Sequence, residues 1–336
     1  MSHLRVGVIG YGYWGPNIVR NFNSVPGARV HMVCDKNPAV FARLECQFPQ
    51  IKTTTRCEDV TTNPEIDAVA VVTPVSTHFL LAKSALENGK HVFVEKPFTA
   101  SVDEALRLIE LAEKKRLRIM VGHTFLFTPA VRKIKELMDA GALGKIFYYD
   151  STRVNLGLFQ HDVNVIWDLA PHDLAIVDYL LGAPAQALTA NGVGHFGNSL
   201  ENIAYITLYY EDGKIAHFNV NWLSPVKIRL TMIGGDKKML VWNDLSADEK
   251  IRIYDRGVDV SDPEGLHKLL VSYRAGDMWS PMLERGEALH GEMSHFVSGI
   301  AGGHPFINDG AAGLRVVRML EASSESLRNQ GRMITL

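Results

Sequence analysis

Five short apolar runs in the first 122 residues constrain the fold of this chain more than any other feature. Each run has five or six residues and is rich in valine, isoleucine or other apolar side chains, and helix-like segments separate the runs, which lie at 4–9, 29–34, 67–72, 90–94 and 118–122. Their apolarity is continuous rather than alternating, which is typical of strands buried on both faces of a parallel sheet. We therefore predict a doubly wound α/β domain with a parallel sheet over residues 1–122.

The segments between these runs carry signals for helix starts and helix ends. Asn37-Pro38 is typical of an N-cap followed by a proline in the first turn, and the segment that starts at Ser76 stops at Gly89. The stretch SVDE at 101–104 has the spacing of a capping box and predicts a helix through Lys115. Helices between consecutive strands are what parallel pairing requires.

The pattern changes after residue 122. Helices are predicted at 128–140, 168–181, 287–301 and 310–329, and three long β-rich segments begin near 201, 214 and 226. Asp212-Gly213 joins the first two of these segments and is a strong hairpin signal, so we predict an antiparallel meander. Residues 123–336 should form a second, α+β domain.

Composition argues against several classes of function. Lys and Arg number 35 against 37 Asp and Glu, a balance that favours neither nucleic acid nor an anionic membrane as a partner. No apolar run approaches the ~20 residues that span a bilayer, and the N-terminus lacks the pattern of a signal peptide. Cys34, Cys46 and Cys57 have no CxxC spacing, so we expect reduced thiols, no disulfide framework and no metal site. We expect a soluble cytoplasmic protein.

A glycine motif follows the first run directly. The sequence VIGYGYWGPN places Gly10, Gly12 and Gly15 in a GxGxxG pattern between a strand and a helix, as in dinucleotide-binding turns. Asp35 ends the second run, where a carboxylate can accept hydrogen bonds from the ribose hydroxyls. Asp35 disfavours the 2′-phosphate of NADP, whereas the neighbouring Lys36 would partly compensate. We predict NAD as the cofactor, with NADP as the alternative.

Two other runs end in residues suited to chemistry. Thr73-Pro74 follows the third run and Glu95-Lys96-Pro97 follows the fourth. The carboxyl ends of parallel strands face the ligand crevice of such a sheet, so we expect Lys96 where a nicotinamide and its substrate meet. The competing interpretation is an exposed strand-end lysine that pairs with a surface acid.

A second cluster lies near the start of a predicted helix. Asp168 and His172 are four residues apart, which places both on one helix face. Pro171 lies between them and is expected only in the first turn of a helix. Histidine is the side chain most often used as an acid or base, as a dehydrogenase needs at the carbinol oxygen. The alternative is that Asp168 caps the helix and His172 is a partly buried helical residue.

Three further residues are candidates for substrate binding. Arg153 and Asn155 lie on the strand before this helix and suit sugar hydroxyls or a carboxylate. Arg274 suits a diphosphate or a carboxylate, which a guanidinium binds through two parallel hydrogen bonds. Surface ion pairing is an equal alternative for both arginines.

Together these motifs resemble the glucose-fructose oxidoreductase, inositol dehydrogenase and rhizopine catabolism (Gfo/Idh/MocA) family. The resemblance covers nearly the whole chain and also includes the closing sequence HFVSGI…GLRVVRMLEA. It implies an N-terminal Rossmann domain and a C-terminal domain with an open-faced sheet whose free surface commonly forms dimers or tetramers. A homo-dimer or homo-tetramer is therefore expected, through apolar positions such as Ile206, Leu208, Phe218, Val220 and Leu230.

The resemblance also implies roles for single residues. Lys96 would lie by the nicotinamide and His172 would transfer the proton with support from Asp168, although whether His172 or Lys96 accepts the proton stays open. The residues on the cofactor side would be Gly10, Gly12, Tyr13, Trp14, Gly15, Asp35, Lys36, Thr73, Pro74, His78, Glu95, Lys96 and Pro97.

The sequences GHTFLFTPAVRKI and SYRAGDMWSP are similar to those of bacterial enzymes that act on nucleotide-linked sugars, the UDP-N-acetylglucosamine (or its uronic acid) 3-dehydrogenases. This resemblance implies oxidation of the sugar C3 hydroxyl to a ketone. One alternative is a dehydrogenase of a free sugar or cyclitol. A second, from a different class, is a catalytically silent cofactor-binding sensor or regulator on the same fold.

Overall fold

The structure is a computed structural model that describes residues 3–157, 163–197, 200–259 and 272–336. Its strands are β1 Leu4–Ile9, β2 Ala28–Cys34, β3 Lys52–Thr54, β4 Ala68–Val71, β5 His91–Glu95, β6 Ile119–Gly122, β7 Ile146–Leu156, β8 Ala187–Val193, β9 Ile203–Tyr209, β10 Ile215–Asn221, β11 Leu223–Gly235, β12 Met239–Asn243, β13 Ile251–Tyr254, β14 Gly257–Asp259, β15 Ser272–Arg274, β16 Met278–Trp279 and β17 Ile334–Thr335. Its α-helices are α1 Gly15–Ser24, α2 Phe41–Gln47, α3 Glu58–Thr61, α4 His78–Glu87, α5 Val102–Lys115, α6 Pro129–Asp139, α7 Val165–Leu181, α8 Ala288–Gly302 and α9 Gly310–Arg328.

These elements form two compact units. The first contains Met1–Phe127 and Gly286–Arg318, and the second contains Thr128–Arg285 and Met319–Leu336. Residues 123–336 were predicted to form one domain, whereas α8 groups with the first unit. The reason is aromatic packing, because Phe296 of α8 lies edge-on against Phe22 and Phe93, with ring centroids 5.9 and 6.1 Å apart.

The first unit contains the predicted parallel sheet. Its six strands run in the order β3-β2-β1-β4-β5-β6, with parallel pairing throughout. All five predicted strands are present, and β3, a short edge strand, is an addition. The strand order reverses between β1 and β4, and a doubly wound sheet binds its ligand outside the carboxyl ends at such a point. The predicted α/β fold class is confirmed.

The predicted capping box starts α5 as expected. The Ser101 hydroxyl accepts a hydrogen bond from the Glu104 N–H at 3.2 Å, and the Glu104 carboxylate accepts one from the Ala100 N–H at 3.1 Å. Two N–H groups at the helix start therefore have side-chain partners. This cap fixes the chain directly after the Glu95-Lys96-Pro97 segment.

The second unit contains a nine-stranded sheet in the order β16-β13-β12-β11-β7-β10-β9-β8-β17. Asp212-Gly213 connects β9 and β10 in the predicted antiparallel hairpin. The sheet is not a simple meander, because β7 lies between β10 and β11 and pairs with β10 in parallel. The predicted mostly antiparallel sheet is confirmed, and its mixed centre arises from a strand far upstream in the chain.

The register of this sheet separates two faces. Thr231, Ser151, Phe218 and Ile206 form one row across β11, β7, β10 and β9, and all four are buried. Helix α7 packs against β7, β9 and β10. The neighbouring row contains Leu230, Thr152, Asn219 and Tyr205 on the opposite face. Four of the five apolar residues expected at an oligomer contact, Ile206, Leu208, Phe218 and Val220, are fully buried inside the unit, which corrects that part of the prediction.

Candidate active site

The glycine turn after β1 has the geometry of a dinucleotide site. Gly10 has a φ of 100°, and a Cβ added there would lie 2.2 Å from the Val72 carbonyl oxygen, so only glycine fits. A Cβ at Gly12 would meet nothing within 4 Å. Gly12 therefore leaves its backbone open to a ligand, as close approach to a pyrophosphate requires.

Asp35 holds this turn against the end of β2. Its carboxylate accepts hydrogen bonds from the Tyr11 N–H at 2.6 Å and the Asn37 N–H at 2.8 Å, one on each oxygen. Each carboxylate oxygen has a second lone pair that can accept a hydrogen bond from a ribose hydroxyl. The tie to Tyr11 is a role that the sequence analysis missed, since it joins positions 24 residues apart.

A cavity of about 410 Å³ opens at the carboxyl ends of β1, β2 and β4. It brings together six of the predicted cofactor residues: Gly10, Gly12, Asp35, Lys36, Thr73 and Pro74. Cys34, Cys57 and Leu81 also line it. The glycine turn, the carboxylate and the apolar walls fit the adenosine and diphosphate parts of a dinucleotide.

Tyr13 and Trp14 lie at the exposed rim of the glycine turn. The Tyr13 side chain is 88% exposed, and its ring lies edge-on to that of Trp14 at 5.7 Å. Gly15, the last glycine of the motif, starts α1 and is buried. Both side chains are therefore exposed beside the glycine turn, while the Trp14 carbonyl accepts hydrogen bonds from the first turn of α1.

His78 connects two of the strand-end segments. It is fully buried, with Nδ1 2.9 Å from the Pro97 carbonyl oxygen and Nε2 2.7 Å from the Thr73 carbonyl oxygen. Burial lowers the pKa of His78, so the ring is neutral near pH 7 and donates to one of the two carbonyls. His78 thus holds the segment around Thr73 to the one that carries Lys96.

Lys96 lies at the end of β5, as predicted, and is half-buried. The backbone N–H of Lys96 donates a hydrogen bond to the Glu95 carboxylate at 3.2 Å. Burial raises the pKa of Glu95 to about 7, and the positive charge of Lys96 opposes that rise. Burial, aided by the charge of Lys96, lowers the pKa of His123 to about 3, so this histidine at the end of β6 is neutral.

A buried acid on α8 completes this group within the first unit. Glu292 is fully buried and accepts hydrogen bonds from the Thr124 hydroxyl at 2.6 Å and the Asn308 amide at 3.1 Å. Burial raises the pKa of Glu292 well above its usual range, and the nearby Glu95 raises it further. This environment therefore favours the protonated form of Glu292. The sequence analysis missed it, because nothing in the pattern of α8 marks this position.

In the second unit, α7 carries Asp168 and His172 one turn apart. The helix starts earlier than predicted, since the Asn164 side chain accepts a hydrogen bond from the Trp167 N–H at 3.2 Å and caps it. The alternative in which Asp168 is the cap is therefore wrong. Pro171 lies in the helix interior rather than in the first turn, which corrects the prediction, and removes the hydrogen bond to the carbonyl of Trp167.

Asp168 has a partner on the sheet. The indole N–H of Trp222 donates to the Asp168 carboxylate at 3.0 Å, and Trp222 is almost completely buried. This contact fixes the carboxylate one helical turn before His172, which is half-buried. Trp222 was not predicted, because it lies 54 residues from its partner and carries no local signal.

Arg153 forms a buried ion pair with Asp173. Its Nε and Nη2 donate to the two carboxylate oxygens at 2.5 and 3.0 Å, and both side chains are less than 10% exposed. The pairing alternative named for Arg153 is thus realised in the interior rather than at the surface. The pair anchors α7 to β7 at the residue after His172.

The two remaining candidates for substrate binding are Asn155 and Arg274. Asn155 lies on β7 and is half-buried. Arg274 ends β15, opposite Gly257 of β14, and its side chain lies outside the described part of the structure. Among the described residues, no group of three or more His, Cys, Asp or Glu side chains is placed to hold a metal ion, and no helix is long and apolar enough to cross a membrane.

The parallel sheet, its glycine turn and the carboxylate after β2 define a dinucleotide-binding protein of the Rossmann class. Residues 4–123 match the model described as "Oxidoreductase family, NAD-binding Rossmann fold", and residues 131–241 match the Gfo/Idh/MocA C-terminal domain. The chain belongs to the Gfo/Idh/MocA family and is an NAD-binding oxidoreductase.

Individual relatives cover most of the chain. A UDP-N-acetylglucosamine 3-dehydrogenase from Acidithiobacillus ferrooxidans is 29% identical over 94% of this chain and 95% of its own length. Its solved structure superposes with a TM-score of 0.80 over 98% of this chain and 99% of that one, at 27% identity. A scyllo-inositol 2-dehydrogenase (NAD(+)) from Bacillus subtilis is 31% identical over 72% of this chain and 75% of its own.

A solved oxidoreductase from Agrobacterium radiobacter, in complex with NAD+, L-tartaric acid and magnesium, shares the fold. It superposes with a TM-score of 0.82 over 99% of this chain and 98% of that chain, at 20% identity.

Proposed function

We propose that this protein oxidises the C3 hydroxyl of a UDP-linked N-acetylated sugar to a ketone, with NAD as the cofactor. The observation that carries the proposal is the end-to-end similarity to a UDP-N-acetylglucosamine 3-dehydrogenase, which extends over both units. The residues of the two units supply the parts that such a reaction needs: a dinucleotide turn, a strand-end lysine, and a histidine with a carboxylate one turn away.

In the proposed mechanism, the glycine turn holds the diphosphate, and Asp35 accepts hydrogen bonds from the adenine ribose. When bound, the nicotinamide supplies an acceptor for the hydride of the carbinol carbon. His172 takes the proton of the hydroxyl, and Asp168 stabilises the imidazolium that forms. Lys96 hydrogen-bonds the same oxygen and positions it.

The charge of Glu95 contributes to the raised pKa of the buried Glu292. A second carboxylate charge beside Glu95 would repel the first at close range, and the protonated form of Glu292 avoids this repulsion. Burial raises the pKa of Glu95 to about 7, and the positive charge of Lys96 favours the ionised form of this carboxyl group.

Variants of His172 and Lys96 test these roles. His172→Ala should lower kcat by about 100-fold or more with the Kd for NAD unchanged, because it removes a proton transfer made in the transition state. Lys96→Ala should lower kcat as well. His217→Ala is a matched control, since His217 is a half-buried histidine of the same unit whose ring contacts Thr207. Unimpaired turnover of His172→Ala would contradict the mechanism.

A cyclitol dehydrogenase is the second candidate. It is favoured by the 31% identity to the inositol enzyme, which covers less of the chain than the first relative does. UDP-N-acetylglucosamine, its uronic acid, free N-acetylglucosamine and scyllo-inositol should be compared with NAD, following the absorbance of the reduced nicotinamide. We expect kcat/KM to be highest for a nucleotide-linked sugar, and a clear preference for inositol would select the second candidate.

A further inference from the structure

Two cysteines of the first unit lie side by side in the cofactor cavity. Cys34 ends β2 and Cys57 precedes α3, and their sulfur atoms are 3.7 Å apart. Both line the cavity that Gly12 and Asp35 also line. Cys34 is 1% exposed and Cys57 is half-buried, so an oxidant dissolved in the cavity reaches Cys57 first. The spacing of the cysteines predicted reduced thiols without a disulfide framework and did not indicate this pair.

The separation is short enough for covalent closure. A disulfide has a sulfur–sulfur distance of about 2.05 Å, so the two atoms would approach by about 1.7 Å. Cys34 pairs in register with Thr54 of β3, and only two residues separate Thr54 from Cys57. The connecting residues lie outside the strand and can absorb this movement. Cys46, the third cysteine, is exposed on α2 and does not line the cavity.

We propose that Cys34 and Cys57 form a thiol-oxidation site, at which an oxidant of the peroxide class converts the pair into a disulfide in the cofactor cavity. The Cys57 sulfur attacks the peroxide and becomes a sulfenic acid, with release of one water. The Cys34 thiol then displaces the hydroxyl group of the sulfenic acid, which forms the sulfur–sulfur bond and releases a second water. The two thiols together lose two electrons and two protons, and the peroxide gains them.

The order of these steps follows from the environment of each thiol. Burial raises the pKa of Cys34 to about 12, and the adjacent Cys57 contributes to that rise, so Cys34 stays protonated and reacts second. Cys57 is the more accessible sulfur and reacts first. Acidic side chains near the pair, Asp35 and Asp59, disfavour a thiolate at Cys34 as well.

Closure of the disulfide is coupled to cofactor binding, and this part rests on the proposed position of NAD. Cys34 immediately precedes Asp35, whose carboxylate holds the Tyr11 N–H of the glycine turn. Movement of the Cys34 sulfur towards Cys57 would displace that carboxylate, so the oxidised protein is expected to bind NAD less tightly, by about fivefold or more. Linkage requires that NAD disfavours the disulfide by the same factor.

The test uses the full chain with Cys46→Ser as the background, which removes the exposed thiol and leaves the pair. The folded protein is treated with hydrogen peroxide, with and without saturating NAD, the free thiols are blocked, and peptides are identified by mass spectrometry. We expect a peptide that links Cys34 to Cys57, its formation slowed at least severalfold by NAD, and its absence in Cys46→Ser/Cys57→Ser. Reductant should reverse the cross-link and restore NAD affinity.

Three results separate the parts of this inference. Absence of the linked peptide after oxidation without NAD, in a protein that is folded by circular dichroism and still able to bind NAD, overturns the oxidation site and leaves the proposed function intact. A linked peptide that forms equally fast with and without NAD overturns the coupling. A linked peptide in a protein that binds no dinucleotide supports the oxidation site and contradicts the proposed function.

Discussion

Asp35, at the end of β2, combines a predicted ligand contact with a structural role in the glycine turn. The sequence predicted it, together with Gly10 and Lys96, because the carboxyl ends of parallel strands converge on a ligand crevice. Its hydrogen bonds to the N–H groups of Tyr11 and Asn37 show that it also holds the glycine turn. The position of Asp35 at the strand end predicts the ribose contact, whereas its hydrogen bond to the glycine turn becomes visible only in the folded chain.

We predict that Asp35→Asn narrows the preference for NAD over NADP. The amide removes the charge that repels a 2′-phosphate and replaces one acceptor with a donor, while Lys36 stays at the rim of the cavity. Fluorescence titration of both cofactors should show tighter NAD binding in the wild type and a preference reduced by about tenfold in the variant. Clearly tighter NADP binding by the wild type would show that Lys36 outweighs Asp35.

The contact of Trp222 with Asp168 could not be predicted from the sequence. Its partner Asp168 was predicted from its position before His172, whereas a buried tryptophan between the distant strands β10 and β11 is normally assigned to the core. The hydrogen bond of 3.0 Å makes Trp222 a positioning residue for that carboxylate. Such pairs depend on how the chain folds over long separations, which local patterns do not report.

We predict that Trp222→Phe shifts the pH profile of the reaction in addition to lowering kcat. The ring stays, but Asp168 loses a donor, and its less compensated charge favours a protonated His172. The acidic limb of kcat/KM should move to higher pH. Trp242→Phe is the matched control, because Trp242 is equally buried and lies on β12. A profile that moves equally in both variants would show only a general packing defect.

At the scale of elements, helix α7 shows where a local rule failed. Pro171 was expected in a first turn, yet the helix continues through it from Val165 to Leu181. The four consecutive residues from Leu174 to Val177, beyond the proline, are all buried. The Arg153–Asp173 ion pair connects the helix to the sheet. Tertiary burial therefore outweighs the lost helical hydrogen bond, a balance that the sequence of the helix alone does not contain.

Helix α8 leads to a prediction about stability and pH. The folded-state pKa of Glu292 lies above its unfolded value, so the wild type loses stability as pH rises through that interval. Glu292→Gln mimics the protonated acid, because its amide oxygen can accept from the Asn308 amide while its amide nitrogen donates to the Thr124 hydroxyl oxygen. Its unfolding free energy relative to the wild type should therefore rise with pH above about 4.5, by up to about 1.4 kcal/mol per pH unit.

Urea denaturation of both proteins at several pH values between 5 and 8, on the order of half a unit apart, checks this slope. Glu95, Lys96 and His123 remain in both proteins, so the comparison reports the titration of Glu292 together with its coupling to Glu95. A difference that stays constant with pH would show that Glu292 is ionised in the folded protein.

At the scale of the molecule, the order of elements was predictable and their grouping was not. The five strands of the first sheet follow from continuous apolar runs, and the hairpin of the second follows from Asp212-Gly213. The return of α8 to the first unit depends on aromatic contacts between Phe22, Phe93 and Phe296. A core formed by residues so far apart in the chain leaves no periodic signal.

We predict that the protein is a homo-oligomer that uses the open face of the second sheet. Tyr205, Ile215 and Ile228 are 44, 40 and 37% exposed on strands β9 to β11. Light scattering at micromolar concentration should give a multiple of the chain mass, and Ile228→Glu should lower it. Leu106→Glu, which changes an exposed leucine on α5, is the control. A strictly monomeric wild type would refute the assembly.

Oxidation of the C3 hydroxyl is tested by following the hydrogen on the sugar C3 carbon. UDP-N-acetylglucosamine deuterated at C3 is incubated with the protein and NAD, and the reduced cofactor is analysed by mass spectrometry. Oxidation at C3 by direct transfer predicts one deuterium on the nicotinamide ring and a 3-keto sugar. Reduced cofactor without deuterium, or no reduction by a protein that demonstrably binds both NAD and the sugar, would contradict the account.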